Sequence, residues 1–336
     1  MAYKCINLNS FVQGMKKFGI LNIVIVLLLF CAACKNSREQ PGDGSLITIA
    51  SLKGPSSMAL VRFIDSINNV PGNSIRIEIL DEPIQVRKMM LDGSADFALL
   101  PTTMAAILYN RGLEYRLIGI PIWGTLYLFG SEKGISDWDD LRNKRVNVMA
   151  KGMTPDVLFR YLLEKNGINP EKDLVLDYSF PTHIDLANAV AAGQAELGVI
   201  SEPLVSLVMK RNKDVHAIFD LNSEWNKLHG IPLAQTAFLV KESLLRTEPE
   251  QVEQIVSACE RSVEWVNSNP DSAAVLIVKY NILPDYEVAL NSIPRSNMNF
   301  SRVHGIKDQV NEYLSVFFKM NPDIIGGKMP DENFFY

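Results

Sequence analysis

Residues 93–100 read Gly93-Ser94-Ala95-Asp96-Phe97-Ala98-Leu99-Leu100, and residues 193–200 read Gly193-Gln194-Ala195-Glu196-Leu197-Gly198-Val199-Ile200. Each is a glycine that ends a helix, a short acidic turn and a four-residue apolar run of strand character. The likeness continues outward in both directions at an offset of about one hundred residues. Upstream, Leu46-Ile47-Thr48-Ile49-Ala50 and Val146-Asn147-Val148-Met149-Ala150 read as strands. They run into the turns Lys53-Gly54-Pro55-Ser56-Ser57 and Lys151-Gly152-Met153-Thr154-Pro155, followed by helical spacing over residues 58–67 and 157–165. Ile75, Ile77 and Ile79 alternate with polar residues, as do Leu174, Leu176 and Tyr178. Downstream, Pro101-Thr102-Thr103 and Ser201-Glu202-Pro203 each open another helix, and residues 117–122 and 216–221 close the two units as strands.

Through its third strand each unit therefore reads strand-helix-strand-helix-strand. That alternation favours parallel pairing with right-handed crossovers and helices on both faces of a sheet. The expected fold is α/β: two similar doubly wound lobes joined by a hinge. The apolar runs 126–129 and 237–240 read as strands that cross between them. This assigns residues 46–125 and 236–336 to the first lobe and 126–235 to the second. Helical spacing over 250–280, with Pro249 and Pro270 at helix starts, and again over 309–318, has no partner in the repeat; it is expected to complete the first lobe and brace the hinge.

In open parallel sheets, ligands sit beyond the carboxyl ends of the strands, where loops lead into helices. Four such loops supply the candidate ligand-binding residues: Gly54, Ser56 and Ser57; Thr102 and Thr103; Gly152 and Thr154; and Glu202. Trp123 is a candidate aromatic wall. Glycines admit close approach of backbone amides, hydroxyls give short adaptable hydrogen bonds, and helix N-termini favour an anionic group. The competing role for Ser56, Ser57, the threonines and Glu202 is simple helix capping, and for Trp123 burial beside a strand end.

The N-terminus carries a different signal. Lys16-Lys17 precede an apolar run, residues 18–30, that ends in Cys31-Ala32-Ala33-Cys34. A basic region, a short apolar core and small residues before a cut site describe a secretory signal peptide, and the run is too short for a membrane span. The Ala32-Ala33-Cys34 ending resembles a lipoprotein signal in which Cys34 is lipidated, giving residues 1–34 as signal and lipidation site and 35–45 as a polar tether. Met15-Lys16-Lys17 would itself open a complete signal. Cleavage before Cys34 removes three lysines and no acid, taking the formal charge from −5 to −8. With no basic face there is no nucleic-acid partner to expect. Of the four cysteines only Cys34 and Cys259 would remain, which leaves no disulfide.

Catalytic patterns are thin. His183, His216, His229 and His304 are scattered without metal-ligand spacing, and there is neither a Gly-x-Ser-x-Gly elbow nor a glycine-rich phosphate loop. Asp137-Trp138-Asp139-Asp140 reads as a solvated helix start. No cofactor, metal or catalytic residue is expected.

Lys53-Gly54-Pro55, residues 93–98, residues 192–197 and Ser201-Glu202-Pro203 together resemble the solute-binding proteins of ABC importers, in the nitrate/sulfonate/taurine branch that also binds thiamine-precursor pyrimidines. The ending from Gly326 to Tyr336 is similar to the tail of a lipoprotein subgroup of that branch. The resemblance covers residues 46–336. It implies a type II periplasmic-binding-protein fold, a small ligand held by lobe closure, a permease and a cytoplasmic ATPase as partners, a monomer, and a lipid-anchored place outside the cytoplasm. Family ligand positions fall near Ser56, Ser57, Thr102, Thr103, Thr154 and Glu202. Sulfonate binders of this kind often use an arginine, and none occurs in these loops, which leaves a neutral or aromatic metabolite open. The alternative is an enzyme on the same fold, resembling a pyrimidine synthase or a menaquinone-pathway dehydratase.

Overall fold

The computed structural model describes residues 46–149 and 151–336. The signal segment 1–34 with Cys34 and the tether 35–45 lie outside the described residues. Among the described residues eleven strands form two sheets, one for each repeat. In chain order they are β1 (Ile47–Leu52), β2 (Ile75–Leu80), β3 (Phe97–Pro101), β4 (Tyr115–Ile122), β5 (Leu126–Gly130), β6 (Arg145–Val148), β7 (Val175–Asp177), β8 (Leu197–Ser201), β9 (His216–Asp220), β10 (Thr236–Lys241) and β11 (Met298–Arg302).

The first sheet has the order β11-β4-β10-β3-β1-β2 and the second β7-β6-β8-β5-β9. Read from the other end, the second becomes β9-β5-β8-β6-β7, which matches β4-β10-β3-β1-β2 strand for strand. The quoted repeat is thus a repeat of structure. The register of the first strand against the third differs between the lobes: Ile49 of β1 lies opposite Phe97 of β3, whereas Asn147 of β6 lies opposite Gly198 of β8.

The pairing departs from the all-parallel expectation at one place within each repeat unit, and the added edge strand β11 also runs antiparallel to β4. The closing strands β4 and β9 do not lie beside β3 and β8. A crossing strand intervenes, antiparallel to both neighbours: β10 between β3 and β4, and β5 between β8 and β9. Each lobe therefore takes one central strand from beyond its own repeat unit. The reason lies in burial. Residues of β5 and all but the last of β10 are buried, and an apolar run such as Leu126-Tyr127-Leu128-Phe129 is hidden on both faces only within a sheet. The helix expected over 58–67 is also split, into Pro55–Ala59 and Val61–Asn68, with Leu60 at the break.

The C-terminal third covers both lobes. Helices Pro249–Ser268, Pro270–Lys279 and Tyr286–Ser292 pack on one face of the first sheet, burying Val252, Ile255, Cys259, Val263 and Ile277. Lys210 of the second lobe reaches Asp285 at 2.7 Å. Helix Lys307–Met320 lies over the other face, and its Tyr313 meets the fully buried Trp225 of the second lobe edge-on, centroids 5.9 Å apart. The Asp137–Asp140 stretch forms a single capped turn, with Asp137 accepting from the Asp139 N–H at 3.1 Å and Trp138 stacked on Phe219. No helix among the described residues is long and apolar enough to cross a membrane.

Candidate functional site

Each lobe contributes two loops at the carboxyl ends of its parallel strands. After β1 the chain turns at Gly54, whose φ of +101° suits only glycine. A Cβ there would stand 3.3 Å from the Pro203 ring of the opposite lobe. Ser56 and Ser57 follow, both buried; the Ser57 hydroxyl donates to the Leu52 carbonyl at 2.7 Å and lies 3.1 Å from Ser51 Oγ. After β3, helix Thr102–Asn110 starts with no side-chain cap. Thr102 is fully buried, and its Oγ1 has no hydrogen-bond partner.

The second lobe mirrors this. Gly152 turns at φ +77°, and its N–H donates to Asp156 Oδ2 at 2.7 Å. Helix Thr154–Lys165 also begins without a side-chain cap. After β8, Glu202 is 1% exposed. Its carboxylate accepts from the Ser206 N–H at 3.2 Å and the Ser206 hydroxyl at 3.0 Å. Burial pushes this carboxyl up to about 7, against the opposing pull of the Ser206 bonds and the Arg295 charge.

The loops meet across the gap in two reciprocal pairs. Gly54, after the first strand of the first lobe, faces Pro203, after the third-position strand of the second. Thr154, after the first strand of the second lobe, faces Thr103 of the first, with their hydroxyls 2.9 Å apart. This exchange is what an approximate twofold axis between two copies of one unit demands.

A line of hydrogen bonds ties the loops beneath it. The Thr102 N–H donates to the Gln235 carbonyl at 3.0 Å. The Gln235 side chain accepts from the Thr125 N–H and donates to Thr125 Oγ1, both at 2.7 Å. The Thr125 carbonyl accepts from the Glu202 N–H at 2.9 Å. Thr125 and Gln235 stand at the two chain crossings, so the hinge itself holds one of these loops in each lobe.

Trp123 faces elsewhere. Its indole N–H donates to the Asn299 carbonyl at 2.7 Å and the side chain is 4% exposed, placing it in the hinge packing. Next to it, Gly124 has φ +96°, and a Cβ would fall 2.6 Å from the Asn222 side chain. The sequence pattern missed Thr125, Gln235 and Arg295. Arg295 donates to Ser206 Oγ at 3.3 Å, bringing a guanidinium beside Glu202 from the segment with no repeat partner. Thr125 and Gln235 do sit at matching positions, each just before a crossing strand, and that was the available signal. Among the described residues no group of three His, Cys, Asp or Glu side chains is placed to hold a metal ion, and Cys259 is buried, its thiol pushed up by burial.

Known structures share this fold. The crystal structure of an ABC transporter protein from Parabacteroides distasonis superposes with a TM-score of 0.77, is 25% identical, and covers 87% of this chain and 99% of its own. The periplasmic aliphatic sulphonate-binding protein SsuA of Escherichia coli gives a TM-score of 0.69 at 15% identity, covering 85% of this chain and 92% of its own, a likeness of fold. YtlA of Bacillus subtilis (strain 168), assigned as a binding protein, is 24% identical over 184 residues. That match takes in 54% of this chain and spans about half, 53%, of the relative's length. With a family model matching residues 72–273, more than half of the 336 residues, the chain belongs to the NMT1/THI5-like family.

Proposed function

We propose that this chain is the extracytoplasmic solute-binding component of an ABC importer, taking a small molecule between its lobes and handing it, unconverted, to a membrane permease driven by a cytoplasmic ATPase. The observation that carries this reading is the reciprocal meeting of four helix-opening loops over a hydrogen-bonded hinge. Two lobes joined that way open and close as bodies, which is how a ligand is enclosed and released. Thr102 Oγ1 supports the reading: a fully buried hydroxyl without a partner costs about 1–3 kcal/mol, and an enclosed ligand would satisfy it. The ligand-contacting set we assign is Gly54, Ser56, Ser57, Thr102, Thr103, Thr154 and Glu202, with Arg295 added. Gly152 contributes its turn, its N–H being given to Asp156.

A melting screen of sulfonates, nitrate, pyrimidines and neutral metabolites tests it. A ligand that binds only the folded state raises the melting temperature progressively with concentration. Thr102→Val is expected to weaken that ligand by about tenfold, the value of one well-made buried hydrogen bond. A compound that is chemically consumed without stabilising the protein would favour the enzyme alternative. We further propose a lipid anchor at Cys34. Cells fed labelled palmitate are expected to label the full chain and not its Cys34→Ala variant; equal labelling of both removes the anchor.

A further inference from the structure

An open hollow with room for about 340 Å³ lies against the hinge, with Asn267, Pro294 and Asn299 of its lining exposed, and none of the four cleft loops lines it. Its position follows from the sheet orders. Asn297 and Asn299 lead into and lie in β11, the edge strand at the opposite end of the first sheet from β1 and β2. Asn222 opens the helix after β9, the edge strand at the opposite end of the second sheet from β6 and β7. The cleft loops leave β1, β3, β6 and β8. The cavity is therefore on the outer flank of the hinge, and residues of both lobes form its walls.

Its chemistry is unusual for a chain with 21% charged residues: no lining residue is ionisable, and four are asparagines. Three of the carboxamides are pinned at one end by backbone. Asn297 Nδ2 donates to the Gly124 carbonyl and Asn267 Nδ2 to the Met298 carbonyl, both at 2.7 Å. Asn222 Oδ1 accepts from the Leu233 N–H at 2.8 Å. A carbonyl only accepts and an N–H only donates, so these partners fix which way round each amide stands. What remains for an occupant is Asn267 Oδ1 and Asn297 Oδ1 as acceptors, Asn222 Nδ2 as donor, and the Asn299 amide with both. Trp123, Pro232, Ile293, Pro294 and Met298 complete the wall with apolar surface.

We propose that this cavity is a second small-molecule site, outside the cleft, for an uncharged polyol of about hexose size. A fixed set of amide donors and acceptors without a charge matches hydroxyls, each of which donates and accepts. A carboxylate or ammonium group would find no counter-charge for its desolvation. Pinned amides lose little freedom on binding, so each contact counts almost in full. The volume falls in the lower part of the ligand-pocket range of about 300–1,000 Å³.

Calorimetric titration of the full chain with D-glucose and myo-inositol, and with glucuronate and glucosamine as charged counterparts, tests the proposal. At least one neutral probe is expected to bind, with both charged probes weaker by about tenfold or more. Asn299→Leu, whose side chain makes no hydrogen bond among the described residues, is expected to abolish that binding while leaving the melting temperature of the empty protein unchanged. Absence of binding by both neutral probes, equal or tighter binding of a charged one, or undiminished binding to Asn299→Leu overturns it. The outcome is independent of the cleft: a neutral probe lost in Asn299→Leu but kept in Thr102→Val reports the flank alone.

Discussion

Glu202 concentrates the electrostatics of the cleft in one carboxyl. A glutamate in an unfolded chain titrates near about 4.3, whereas burial moves this one to about 7 in the folded protein. Between those values the folded state holds a proton that the unfolded state has released. Stability is then greatest below the unfolded value and declines as pH rises through the folded one. The difference is on the order of 3 kcal/mol at about 1.4 kcal/mol per unit. Glu202→Gln keeps an acceptor for Ser206 and has no proton to lose. Its stability relative to the parent is expected to rise from pH 5 to pH 8 by roughly that amount, read from denaturant midpoints; a parent-to-variant difference that stays constant with pH contradicts the assignment. Glu202 and the threonines were legible from sequence because polar residues at helix-opening turns stand out against apolar strands. Arg295 was not: it reaches Glu202 from a segment about ninety residues downstream, and neither periodicity nor the repeat marks such a tertiary contact.

Among the elements, helix Leu221–His229 carries an aromatic and hydrogen-bonded join between the second lobe and the C-terminal helix. Its Trp225 is fully buried, stacked on His229 at 4.0 Å between centroids and edge-on to Tyr313. His229 in turn bonds Tyr161 at 2.9 Å and Glu312 at 2.8 Å. Removing a buried indole leaves a cavity worth about 3–5 kcal/mol. Trp225→Ala is expected to lower the denaturant midpoint accordingly, with Trp225→Phe losing much less; similar small losses in both would show that the helix is not a joint. This helix lay unmarked between a strand and a crossing in the sequence reading, since only Leu221 and Trp225 of it are buried. The crossing strands were recognised as strands but not in their places. Four or five buried residues specify a central strand, yet nothing local specifies which two strands it will separate.

At the scale of the whole molecule, the duplication sets the function. One strand-helix unit, repeated, yields two sheets of matching order. A twofold relation between them brings the loop after the first strand of each against the loop after the third strand of the other. That relation was visible as a hundred-residue offset because glycine turns and strand runs are dictated locally. The hinge line from Thr102 through Gln235 and Thr125 to Glu202 was not, since it exists only once the crossings lie side by side. Its value is mechanical. One loop of each lobe is fixed to the chain crossings, so on the proposed function ligand contact and lobe rotation would be coupled through a few short bonds.

The most direct test is an interlobe disulfide in the Thr103→Cys/Thr154→Cys variant, located by peptide mass mapping. The two hydroxyls lie 2.9 Å apart, a separation that brings paired thiols within disulfide reach when the lobes are closed. The account predicts that this bridge forms, and forms faster when the ligand found by the melting screen is present. No bridge in either condition, or equal rates with and without ligand, would contradict lobes that close on what they bind.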